Sequence, residues 1–231
     1  MKDFLNQNKI FIGLVFGTLI LLFGGVFLFS RGGSTVTEGN QVNSAFLEPA
    51  GKQKTGGIIN GNYVIASASP SLVLVEFGDY QCPACGIYNP LVKQVLTEFA
   101  GKIAFASKNF PLAQHKNAPI SSFAAEAAGF QGKFWQMHDK LYENQNSWSA
   151  SSDAKTIFIG YATDLGLNVD QFKLDIDSQK VKDIVASDYA DGNTIGINST
   201  PTFYLNGVKM DNPANIEDFR KAIESVLDEA P

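Results

Sequence analysis

Two cysteines separated by two residues, Cys82-Pro83-Ala84-Cys85, are the only thiols in a chain of 231 residues. What precedes them limits the local fold sharply. Val73-Leu74-Val75-Glu76-Phe77 reads as a buried strand, and the chain then turns and starts a helix at the cysteines. Residues three apart on a helix share a face, and that spacing suits the Cα separation of about 4.4–6.8 Å that a disulfide tolerates. The pair can open and close with little backbone movement, which fits electron exchange better than stapling, because closing so short a loop gains little chain entropy. A zinc site needs about four ligands, and besides the two cysteines the chain has only His115 and His138, whose spacing is not that of a zinc finger.

Cys82 stands where the first amide N–H groups of a helix lack intrahelical partners. Those donors and the positive end of the helix dipole favour a thiolate, and a stabilised thiolate leaves readily in exchange. Pro83 suits the first helical position, where its missing N–H costs nothing. Cys82 is read as the exposed nucleophile and Cys85 as the resolving thiol one turn deeper. Glu76 lies six positions earlier in an apolar strand. Buried there, its carboxyl has a raised pKa and can take the proton from Cys85 when that thiol attacks; the competing reading is an edge-strand carboxylate facing solvent.

Ile10 to Phe29 is an apolar run with one weakly polar member, Thr18, long enough to span a bilayer as a helix of about 20 residues. It exceeds the roughly 7–15 apolar residues of a cleaved signal peptide and lacks a small-x-small cleavage site. It reads as an uncleaved single-pass anchor. Lys2 and Lys9 before it mildly favour an amino terminus inside. Residues 1–9 form a short cytoplasmic end, 10–30 the transmembrane anchor and 31–59 a flexible linker rich in Gly, Ser, Thr, Asn and Gln. Residues 60–231 form one domain. The net charge is −5, and residues 1–31 hold three of the 18 basic residues but one of the 23 acidic ones, so the rest is near −7. Such a domain repels phosphate backbones, which excludes nucleic acid as a natural partner.

Within the domain, Leu72–Phe77 predicts the first strand, apolar on both faces. Tyr88, Leu91, Val92, Val95, Leu96 and Phe99 recur at helical spacing, with Pro90 expected to kink that helix. Lys102–Ser107 reads as a second strand. An all-helical block follows at about 115–195, with helices over 118–131, around 134–142, around 154–165 and from Ser178 to about Asp191. Asn206-Gly207 between Thr202–Leu205 and Val208–Met210 is the signal of a type I′ hairpin, and Ile216, Phe219, Ile223, Val226 and Leu227 mark a last helix. Strand–helix–strand at the start implies a parallel pair, and the hairpin adds antiparallel strands. The fold class is α/β: a mixed sheet flanked by helices and interrupted by a helical insertion.

Phe77-Gly78-Asp79-Tyr80-Gln81-Cys82-Pro83-Ala84-Cys85, followed much later by Thr200-Pro201-Thr202-Phe203, resembles the thioredoxin superfamily. The segment from Phe130 to Asp139 looks like the insertion of its DsbA-like branch, the extracytoplasmic thiol–disulfide oxidoreductases. The resemblance runs from about Leu72 to Leu227. It implies that Pro201 is cis and faces the cysteines, that the backbone of Thr200 receives an extended substrate peptide, and that Tyr80 and Phe203 either offer apolar surface near the site or belong to the core. It implies no cofactor beyond the redox-active Cys82–Cys85 disulfide. The expected partners are reduced or unfolded exported proteins and a membrane partner, quinone-linked, that reoxidises the pair. His115 and His138 are read as structural. The best-known oxidases carry Pro-His between their cysteines; Ala84 supplies no imidazolium, which implies a weaker oxidant. Asn198-Ser199-Thr200 matches a glycosylation acceptor, but a glycan beside Pro201 would obstruct the active face, so the match reads as coincidence and as a pointer to a bacterial source.

The expected function is therefore that of a membrane-anchored thiol–disulfide oxidoreductase that forms disulfide bonds in exported proteins, acting outside the cytoplasm through the C-x-x-C pair. The same fold run as a reductase or isomerase, or as a copper-binding module without catalysis, stands as the alternative.

Overall fold

A computed structural model of the chain describes residues 57–59, 62–65 and 70–228. The expected anchor lies outside them, and no helix among the described residues is long and apolar enough to cross a membrane. Among the described residues six strands form one mixed sheet in the order β1-β2-β4-β3-β5-β6. These are β1 (Gly57–Ile59), β2 (Asn62–Ile65), β3 (Leu72–Gly78), β4 (Ile103–Asn109), β5 (Thr202–Leu205) and β6 (Val208–Lys209). The β3–β4 pair is parallel, as a helical crossover requires, and every other pair is antiparallel.

The crossover is α1 (Pro83–Glu98), which runs through Pro90 without interruption. Between β4 and β5 stand α2 (Ala118–Gly129), α3 (Phe134–Glu143), α4 (Gln145–Trp148), α5 (Ala154–Asp164), α6 (Val169–Ile176) and α7 (Gln179–Thr194), and α8 (Ile216–Asp228) ends the domain. Helices α4 and α6 are not among the sequence expectations. The first is a single turn, too short to show a period. The second is announced by its cap, since the Asn168 side chain accepts from the Gln171 N–H. The expected linker, drawn to residue 59, overlaps β1. Ile58-Ile59 and Tyr63-Val64-Ile65 flank Asn60-Gly61 and pair with Ile59 opposite Asn62, the same hairpin signal that Asn206-Gly207 gives at the other edge.

Alternation along β3 sorts its side chains. Leu72 and Leu74 join Val92, Val95, Phe105, Phe203, Phe219 and Ile223 in the core that α1 and α8 cover. Val75 and Phe77 face the other way, with Phe110, Ile197 and Tyr204. Glu76, two residues beyond Leu74, thus points to the side that carries α1. A third core lies within the helical insertion around Phe134, Met137, Leu141, Trp148, Phe158 and Phe172, and it takes in Tyr80, Cys82 and Cys85. The insertion is fastened to the end of β4 by buried polar groups. Asn109 Nδ2 donates to Glu126 Oε1 (2.8 Å) and Asp188 Oδ2 (3.0 Å), and Lys108 Nζ reaches Asp188 Oδ1 at 3.0 Å and Asp191 Oδ2 at 2.8 Å.

At the β5–β6 turn, Asn206 and Gly207 both have positive φ, 48° and 79°, as a type I′ turn demands. Asn206 Oδ1 also accepts from the Val73 N–H at 2.8 Å, pinning the hairpin to β3. Alanine there loses that bond and strains the left-handed backbone, so Asn206→Ala is expected to lower stability by about 1–2 kcal/mol in urea denaturation. Asn206→Gly, which keeps only the backbone freedom, should recover part of the loss.

Candidate active site

The chain leaves β3 at Gly78, makes a tight turn in which the Cys82 N–H donates to the Asp79 carbonyl (3.0 Å), and enters α1 with Cys82 at the N-cap and Pro83 at the first helical position. Both cysteines are free thiols. Cys82, expected to be exposed, retains only 7 % of its surface and Cys85 retains none. Cys82 is nevertheless the one that reaches the surface, and its neighbour lies a turn deeper in the insertion core.

The two sulfurs titrate in opposite directions. The Cys82 pKa is lowered from 9.0 to about 5. The largest cause is a hydrogen bond from the Cys85 thiol; partial burial opposes it, and contact with Thr200 and the N–H groups of Cys85 and Ala84 assist. The helix start therefore contributes, as the sequence suggested, but the resolving thiol contributes more. Cys85 is pushed well up, first by burial, then by the same hydrogen bond and by the nearby Glu76 and Cys82 charges; the Asp79 N–H, 3.5 Å from its sulfur, acts the other way.

Glu76 is buried, in register with Ser107 of β4 and Phe203 of β5, so it is on a central strand and not at an edge. Burial, with the Cys82 charge as a second cause, raises its carboxyl from 4.5 to about 8. Its Oε1 has no hydrogen-bond partner in the protein. Gly78 keeps the space open: a Cβ there would stand 3.3 Å from Glu76 Oε1 and 3.0 Å from the Tyr142 hydroxyl.

The Thr200-Pro201 peptide is cis, and the Thr200 carbonyl oxygen sits 3.4 Å from Cys82 Sγ. Cys82, Cys85, Glu76, Thr200 and Pro201, drawn from β3, α1 and the loop before β5, thus meet at one end of the sheet. Of the two readings of Tyr80, substrate-binding surface or core, its burial favours the second: it is 3 % exposed, with its ring packed on Tyr142 (centroids 4.9 Å apart) and His138 (5.5 Å), so it shapes the core beneath the cysteines. Phe203 is likewise fully buried, against Tyr88 and Phe219. His115 lies at the site's margin, bonded to Asp79. Among the described residues no group of three or more His, Cys, Asp or Glu is placed to hold a metal ion.

Residues that the sequence did not point to hold the loop from the insertion side. Gln145 Nε2 donates to the carbonyls of Tyr80 (2.7 Å) and Cys82 (2.9 Å). Gly86 makes room for it, since a Cβ there would lie 2.8 Å from Gln145 Oε1. Gln81 donates to the Ser149 carbonyl and accepts from the Asn117 N–H. These partners are 36 to 68 residues apart in sequence, and no local pattern announces them.

Two measurements test this electrostatic arrangement. Thiolate absorbance of the reduced protein should titrate Cys82 near pH 5. Cys85→Ala should raise that midpoint by about one unit or more, whereas Cys85→Ser, which keeps a donor, should stay closer to wild type. For Glu76 the folded protein holds its proton more tightly than the unfolded chain, so its contribution to stability falls as pH rises from about 4.5 to about 8. Cys82 contributes with the opposite sign between about pH 5 and 9 in both proteins. The difference between wild type and Glu76→Gln therefore isolates the carboxyl: the variant should gain on wild type through that window and be more stable by several kcal/mol above pH 8.

The thioredoxin family model, in the form Thioredoxin_4, matches residues 60–225. Among solved structures the chain is similar to oxidised BdbD from Bacillus subtilis, with a TM-score of 0.66, 23 % identity, and 77 % of this chain and 99 % of that one covered. It is also similar to alpha-DsbA1 from Wolbachia pipientis, with a TM-score of 0.67, 17 % identity, and 74 % and 94 % covered. A protein-disulfide isomerase from Novosphingobium aromaticivorans gives 0.61, 18 %, 72 % and 97 %. These likenesses establish the fold. Curated relatives include the Na(+)/H(+) antiporter NhaA 1 proteins of Salinispora arenicola and of Mycobacterium sp. (strain KMS), each 34 % identical over 157 residues, or 68 % and 67 % of this chain. The chain spans only about a quarter of their length (23 % and 25 %), so their name describes sequence that lies mostly outside the match. A family match that runs from β2 to α8 and takes in both cysteines decides the matter: the chain belongs to the thioredoxin family.

Proposed function

We propose that the protein introduces disulfide bonds into exported proteins, held at the membrane by residues 10–30 with its domain on the extracytoplasmic side. The observation that carries this reading is the unlike setting of two adjacent free sulfurs, Cys82 at the helix N-cap and Cys85 wholly buried one turn on, near the buried Glu76 carboxyl, a placement that lowers the Cys82 pKa and raises those of Cys85 and Glu76. An enzyme whose outer sulfur leaves easily as a thiolate is stable reduced and therefore oxidising as a disulfide.

In the proposed cycle a client thiolate attacks Cys82 Sγ of the Cys82–Cys85 disulfide. The S–S bond breaks and Cys85 departs as a thiolate, taking the proton that Glu76 holds. A second client thiolate then attacks the client sulfur of the mixed disulfide and displaces the Cys82 thiolate. The client loses two electrons and the pair gains them. Glu76 works in reverse when Cys85 attacks, taking the proton back. The Thr200 backbone beside Cys82 offers the edge on which an extended client segment can add as a strand. A quinone-linked membrane partner returns the pair to the disulfide, and persistence of client disulfides requires an oxidising compartment. No cofactor other than the disulfide takes part.

A second reading runs the same exchange as reduction or isomerisation, in keeping with the relative named a protein-disulfide isomerase and with Ala84 between the cysteines. Equilibration with glutathione separates the two: a potential as low as that of thioredoxin, about −270 mV, supports reduction and defeats the oxidase reading. In oxidation of a reduced client followed by thiol loss, Cys82→Ser should be inactive, and Glu76→Gln should slow turnover by about 10- to 100-fold, with the deficit tied to the Cys85 step.

A further inference from the structure

Asp79 is fully buried in the turn between β3 and the cysteines, and the cycle above gives its side chain no part. Its carboxylate accepts three hydrogen bonds. Oδ1 takes the Gln81 N–H at 2.7 Å, and Oδ2 takes the Leu112 N–H at 2.9 Å and lies 2.6 Å from His115 Nδ1. A carboxylate only accepts, so His115 carries its proton on Nδ1 toward it. The first bond closes an Asx turn over Asp79-Tyr80-Gln81. The other two tie that turn to the loop after β4. The main chain of the same residue touches both cysteines: its N–H points at Cys85 Sγ (3.5 Å) and its carbonyl accepts from the Cys82 N–H (3.0 Å).

We propose that Asp79 is a positioning residue for the buried sulfur: its side chain, anchored by Gln81, Leu112 and His115, fixes the 78–79 peptide so that the Asp79 N–H meets the negative charge on Cys85 whenever the disulfide opens or closes. The charge on Cys85 appears in one species only, the thiolate that leaves when the disulfide is attacked and that attacks when it reforms. A donor fixed in place before the charge arrives lowers the barrier in both directions without reorganisation. Glu76 supplies the proton; the Asp79 N–H steadies the anion before the proton is transferred. Cys82 has other donors in the N–H groups of Cys85 and Ala84 and the Cys85 thiol, so the effect falls on the inner sulfur.

This proposal rests on the thiol–disulfide exchange proposed above, and the test separates the two. Opening of the oxidised pair by excess reduced glutathione is followed by rapid alkylation and mass analysis, alongside the thiolate titration of Cys82 and thermal melting. If wild-type protein is not opened, the exchange reading itself fails. If it is, Asp79→Asn, which cannot accept all three bonds, should open about tenfold more slowly while the Cys82 midpoint stays in place. An opening rate within about twofold of wild type, or a Cys82 midpoint that moves with it, overturns the role assigned to Asp79. Should Asp79→Asn fail to fold, His115→Ala decides: it leaves the carboxylate and removes one donor, and should slow opening about threefold with the midpoint unchanged. An unaltered rate in that variant overturns the proposal.

Discussion

The chemistry depends on a difference in burial between two sulfurs one helical turn apart. Cys82 sits at the helix start with a foot at the surface, and Cys85 sits wholly inside. Burial penalises a charge wherever it lies, so a thiolate on Cys85 is disfavoured. The proton kept on Cys85 then serves as the hydrogen bond that favours the charge on Cys82. The two shifts are one event seen from its two ends. This asymmetry suits the exchange proposed above, in which the bond is attacked at one sulfur and resolved at the other.

The helical insertion produces that asymmetry. The cysteines belong to its core and not to the core between the sheet and α1. Helices α3 and α4 bring Tyr142 and Gln145 against the start of α1, Gln145 holding the carbonyls of Tyr80 and Cys82. Both sulfurs pack in the insertion core, Cys85 wholly buried and Cys82 retaining 7 % of its surface, and the insertion is fixed to the sheet by the Lys108, Asn109, Glu126 and Asp188 cluster rather than by apolar packing alone.

Two buried carboxyls accompany this design, and both are raised to about 8, chiefly by burial: Glu76 beneath the cysteines and Glu126 between α2 and β4. A buried group that wants to remain protonated costs stability as pH rises. For Glu126, Asn109 offsets part of that cost by donating to one oxygen. Glu76 has no such donor at Oε1, which suits the proton exchange with Cys85 proposed for it.

The parallel β3–β4 pair and the β5–β6 hairpin were legible in the sequence because they depend on local chemistry, whereas β1 and β2 were not foreseen. A near-continuous apolar run makes β3, an alternating one makes β4, and Asn-Gly makes the turn at 206–207, where positive φ is required at both positions. The cysteine helix was legible too, since Pro83 at its first position and the spacing of its apolar residues act within one or two turns. Glu76 was found as a carboxylate out of place in an apolar strand. Other features depended on residues brought together from far along the chain. Tyr80 could have lain outside or inside until α3 packed over it, and Gln145, Asn117 and the Asp79–His115 pair carry no local signature because their partners stand tens of residues away. The sequence by itself determined which sulfur begins the helix and which follows one turn later; only the tertiary structure decided how unlike they are, because solvation is set by what the rest of the chain lays on top of each.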